Sequence, residues 1–77
     1  MTPVQIIKEM LKMAPLLKGK KYGDLDKGEK KILYVSKLYD DHADLSVIAE
    51  SVLGAHRNFV DTQLRVAFGY DTNSTIT

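Results

Sequence analysis

Between Leu45 and Phe68 apolar side chains return every third or fourth residue, the period of a helix with one buried face. Placed at 100° per residue, Leu45, Ile48, Ala49, Val52, Leu53, Phe59, Val60, Leu64, Val66 and Ala67 share one side. Ser51, Gly54, Arg57, Asn58, Asp61 and Arg65 share the other. Any fold must be built around this ridge. Read as one helix over 45–68, it would run roughly 36 Å at 1.5 Å per residue. Opposite charges four apart, Arg57–Asp61 and Asp61–Arg65, would each add a few tenths of a kcal/mol. Gly54, on the polar side, would cost ~1 kcal/mol relative to alanine. The apolar phase holds across Gly54, so the unbroken helix is the leading reading.

Two shorter helices precede it. Thr2-Pro3-Val4-Gln5 is a capping box with proline at the first helical position. Val4, Ile7, Met10, Leu11 and Ala14 then follow at helical spacing, so the first helix is expected over 3–14. Pro15 ends it, and Leu16-Leu17 form a short turn closed by Gly19. Residues 18–25 are a loop with two glycines and three lysines. Asp26 and Glu29 make a second capping box. It opens a helix over 27–42 whose buried face is Ile32, Val35, Leu38, Tyr39 and Ala43. Asp44 caps the long helix. The expected fold is an all-α three-helix bundle with a long C-terminal helix. Residues 1–69 form one helical domain and 70–77 a flexible tail. The long helix exceeds the reach of its short neighbours, so self-association is expected to cover the remainder.

The chain is short, at 77 residues, and contains no cysteine. Disulfides and thiolate metal sites are thereby excluded. The opening residues are interrupted by Lys8, Glu9 and Lys12 and read as helix, not as a secretory leader. No apolar run nears the ~18–20 residues of a membrane span. A cytoplasmic protein is therefore the expectation. Catalytic signals are lacking. The two histidines, His42 and His56, are fourteen apart, and no phosphate-binding glycine fingerprint occurs. Asp40, Asp41, His42 and Asp44 cluster at a helix junction, where such residues serve as caps. No catalytic residue, metal ligand or cofactor is assigned.

Net charge is +1 but unevenly spread. Residues 1–37 carry nine lysines against four acidic residues, or +5; residues 38–77 carry two arginines against six, or −4. Such a dipole suits two solvated faces or head-to-tail association. Leu33 and Tyr34 fall off the buried stripe of the second helix, as a partner-binding surface would. Val52 and Phe59 offer an apolar docking face on the long helix. His56 and Gln63, seven apart near its centre, read as edge-of-core polar groups or as register-setting groups in a subunit interface. The first functional reading is a non-enzymatic adaptor, inhibitor or regulator. It would bind a protein partner or assemble with itself through Leu33, Tyr34, Val52, His56, Phe59 and Gln63. Small phage or plasmid accessory regulators have this size and profile.

The second reading involves DNA. The stretch AESVLGAHRNFVDTQLRVAFG resembles the helix-turn-helix family. Gly54 stands as the turn glycine, Val60 as the buried residue six positions on, and Asn58 to Phe68 as the recognition helix. The likeness covers about a quarter of the chain. It departs from the pattern at Glu50, which takes the small-residue position four before the turn glycine. Ala49 falls one place too early, and a buried glutamate would be costly. The resemblance implies a DNA-binding transcriptional regulator with Arg57 and Asn58 at the nucleic acid. The Lys-rich stretch 18–31, Lys20 and Lys21 foremost, could touch phosphates, although Asp24, Asp26 and Glu29 are mixed into it.

Overall fold

The structure, a computed structural model, describes residues 2–41 and 44–77. Four α-helices carry the described residues: α1 Pro3–Met13, α2 Lys27–Asp41, α3 Leu45–Leu53 and α4 Arg57–Val66. A 3-10 turn, Ala14–Leu17, continues α1, and a second, Tyr22–Asp24, precedes α2. The protein is all-α, with no named strand among the described residues. His42 and Ala43, placed by sequence at the acidic junction and on the α2 stripe, lie outside the described residues.

The caps form where the sequence places them. Thr2 Oγ1 accepts from the Gln5 N–H at 3.2 Å, and Gln5 Oε1 accepts from the Thr2 N–H at 2.9 Å. Asp26 and Glu29 make the same reciprocal pair at 2.8 and 3.2 Å. Asp44 Oδ1 accepts from the N–H groups of Ser46 and Val47. Each box satisfies amides that a helix start leaves orphaned. Pro15 turns the end of α1 into the 3-10 segment.

The long C-terminal helix does not form. The chain breaks after Leu53 and restarts at Arg57. His56 takes an extended conformation, φ −69° and ψ 145°. Its Nδ1 accepts from the Asn58 N–H at 3.2 Å and caps α4. Burial explains the break. Broken, α3 buries Ile48, Ala49 and Val52 while α4 buries Val60 and Leu64, all in one cluster with Ile7, Leu17, Tyr22, Val35 and others. A periodic pattern survives because each piece is amphipathic by itself, and three linking residues barely disturb the spacing. Phe59 and Val66, assigned to the buried ridge, end up 48% and 79% exposed.

Residues 70–77 were expected to be a flexible tail, but they are docked. Gly69, at φ +75°, turns the chain, a conformation that glycine adopts freely. The returning segment runs antiparallel to residues 19–23. The Gly19 N–H donates to the Ile76 carbonyl and the Ile76 N–H to the Lys20 carbonyl, both at 2.8 Å. Tyr22 and Gly23 donate to Ser74 and Thr72. Ile76 is 4% exposed and belongs to the core. One apolar residue in a polar tail carries no periodicity, so sequence alone does not reveal this strap.

Candidate functional site

The break at Gly54 gives α4 a free first turn. Arg57, Asn58 and Phe59 are exposed there, and Thr62 and Arg65 follow on solvent-facing turns. Val60 and Leu64 anchor the opposite side, fully buried. The helix therefore presents arginine, asparagine and an aromatic ring from a rigidly seated start.

Glu50 carries no burial cost, but the departure from the helix-turn-helix spacing remains. Glu50 is exposed, and Ala49 is the small residue that α3 buries. Relative to the helix-turn-helix pattern, α3 has one additional residue before the turn. The turn itself differs as well: Gly54 has φ −94° and ψ 0°, a right-handed conformation open to any residue.

Asp61 fixes α4 to the rest of the protein. The Tyr22 hydroxyl donates to Asp61 Oδ1 at 2.5 Å, and Lys30 Nζ donates to the same oxygen at 3.0 Å. Arg65 Nε reaches both carboxylate oxygens at 3.3 and 3.2 Å. The Lys30 ammonium and Arg65 guanidinium also lie over the Tyr22 ring, 5.0 and 5.2 Å from its centroid. Tyr70 stacks on that ring at 5.5 Å and 15°. Hydrogen bonding from Tyr22, then from Lys30 and Arg65, holds the Asp61 carboxyl at about 2 against the opposing effect of burial. Burial, followed by the bond to Asp61, pushes the Tyr22 phenol well above its ordinary value. Of the two charge pairs expected along α4, Asp61–Arg65 forms at 3.2 Å, and Arg57–Asp61 is not among the ion pairs of the described residues.

The structure separates the residues grouped by sequence. Leu33 and Tyr34, expected at an exposed partner surface, are 3% and 5% exposed. Tyr34 instead packs edge-on against Phe68, 6.3 Å between centroids. Tyr39, expected in the core, is exposed. The buried arc of α2 is thus wider than the expected stripe, taking in Leu33 and Tyr34 beside Ile32 and Val35. Val52 is fully buried and offers nothing to a partner. His56 is a cap, Gln63 is half-buried, and only Phe59 of the six proposed docking residues is both apolar and exposed. Lys20 forms an ion pair with Glu29 at 2.7 Å, which raises the lysine's pKa and lowers the glutamate's. Lys21 pairs with the strap, bridged to Thr75. Neither joins the α4 face. Lys27 and Lys30 do: with Arg57, Asn58 and Asp61 they line a cleft of about 210 Å³. The Lys-rich run 18–31 signalled them, but sequence does not reveal which of its lysines approach α4.

Pro3, Val4, Ala49 and Leu53 line an apolar groove between α1 and α3. No cluster of metal-ligating side chains occurs among the described residues, and no helix is long and apolar enough to cross a membrane. Comparison with family models, curated proteins and solved structures finds no match in any of the three.

Proposed function

We propose that the protein is a non-catalytic DNA-binding regulator that places the start of α4 in the major groove. The observation that carries this reading is the separate helix beginning at Arg57, with Arg57 and Asn58 in solvent and the following turn anchored by Val60, Asp61 and Leu64. In helix-turn-helix proteins the second helix enters the groove and its N-terminal residues meet base edges. Arginine suits the O6/N7 pair of guanine, asparagine the N6/N7 pair of adenine, and an aromatic ring the thymine methyl. Arg57 and Asn58 supply the polar pair in the exposed first turn, while Phe59 projects from another side of the helix.

Fluorescence anisotropy with a labelled duplex library tests the proposal. Binding at about 50 mM salt should weaken steeply toward about 200 mM. Against a selected sequence, Arg57→Ala and Asn58→Ala should each lower affinity by about 1–3 kcal/mol, with melting temperatures unchanged. No binding of any duplex at low salt would overturn it.

A second reading gives the Phe59 and Val66 side of α4 to a protein. Phe59 and Val66, the latter 79% exposed, favour it. Self-association or capture of a partner would then be lost in Phe59→Asp and Val66→Asp, and native mass in solution distinguishes the two readings.

A further inference from the structure

The cleft between the first turns of α2 and α4 gathers three cations around one carboxylate: Lys27 and Lys30 from α2, Arg57 and Asp61 from α4. The carboxylate is already engaged, accepting from Tyr22, Lys30 and Arg65. Lys30 is held in place by that bond and by the Tyr22 ring beneath it. Lys27 and Arg57 form no ion pair among the described residues. Positive charge therefore exceeds negative charge in a concave place, and the Asn58 side chain adds a hydrogen-bonding group to the wall. Like charges held together without a counter-charge work against the compact state, and an oxyanion relieves them. Arg57 and Asn58 belong both to this cleft and to the exposed start of α4, so a group seated here lies beside whatever α4 reads.

We propose that this cleft seats one backbone phosphodiester of the duplex, with Lys27 as its principal ligand outside α3 and α4. The proposal rests on the DNA-binding reading and adds to it a positioning contact from α2. Such a contact carries no sequence information; it sets how α4 enters the groove.

The test compares wild type with Lys27→Gln in anisotropy titrations over a salt series. Lys27 is exposed at the first position of α2, and a melting curve verifies that the variant folds. The slope of log affinity against log salt should fall by about 0.9, one phosphate's share. Affinity should fall by the same factor on selected and random duplexes. Lys27→Arg should restore the slope, and Lys8→Gln on α1 should leave it unchanged. An unchanged slope in Lys27→Gln, with wild type still binding, overturns this inference alone. If wild type binds no duplex, the DNA reading falls and this contact falls with it. Inorganic phosphate titrated into the labelled protein is the second arm. Saturable shifts of the Lys27 and Asn58 amides, together with an unchanged DNA slope, would assign the cleft to the free anion and overturn the proposal.

Discussion

Replacing Asp61 with asparagine should loosen α4 from the rest of the fold, and the loss should depend on pH in a defined direction. In the native protein the Asp61 carboxyl titrates at about 2, against an ordinary value of 3.8. A carboxyl whose folded value is depressed contributes stability above its unfolded value and loses it as pH falls through the folded one. At neutral pH the contribution is about 1–2 kcal/mol, after allowing for solvent screening of a side chain that is 34% exposed. For a domain of this size that corresponds to a fall in melting temperature of roughly 5–15 °C. Urea denaturation followed by circular dichroism, on wild type and Asp61→Asn, measures the gap. It should be widest above about pH 4 and narrow steadily toward pH 2, where the wild-type carboxyl also becomes neutral. A gap that stays constant from neutral pH to about pH 2 would refute the charge-based account and leave only packing.

The remaining expectations concern the turn and the strap. Gly54→Ala should be neutral or stabilising by about 0.4–1 kcal/mol in a thermal melt, because a Cβ there meets nothing within 4 Å and φ is −94°; a clear loss would mean that the turn needs a left-handed glycine. Gly23→Ala should destabilise in the same assay, since its Cβ would fall 2.5 Å from Thr72 Cγ2 and 2.8 Å from the Thr72 carbonyl oxygen. Ile76→Ala should cost about 2 kcal/mol and speed proteolysis of residues 70–77, whereas an indifferent variant would show that the strap contributes nothing to the core.

Sequence reveals local chemistry here better than it reveals tertiary placement. The boxes at Thr2/Gln5 and Asp26/Glu29, the cap at Asp44 and the stop at Pro15 depend on residues within four positions of each other, and all are legible. Continuity across Gly54 is not, because two short amphipathic helices in register produce the same period as one long helix. The decision lies in tertiary packing: broken at Gly54, both pieces bury their apolar residues in one core. Leu33 and Tyr34 depart from the expected stripe because tertiary packing, not local pattern, places them. A stripe centred on Ile32 and Val35 defines one face of α2, yet α2 is covered on a wider arc by α1, the 3-10 turn and Phe68. The Asp61 hub joins residues 22, 30, 61, 65 and 70, and only the Asp61–Arg65 edge has a spacing visible in the chain. At the candidate site, Arg57 and Asn58 were legible from the helix-turn-helix likeness, whereas Lys27 became distinguishable from Lys20 only when Glu29 claimed the latter.

The most direct test is a heteronuclear amide-shift map of the protein titrated with duplex DNA at low salt. The amides of Arg57, Asn58, Phe59 and Thr62 should move first and furthest, with Lys27 following and Lys8 and Lys12 on α1 still. A spectrum that does not change, or one in which α1 and its groove with α3 move while α4 stays fixed, would contradict the assignment of α4 as the reading helix.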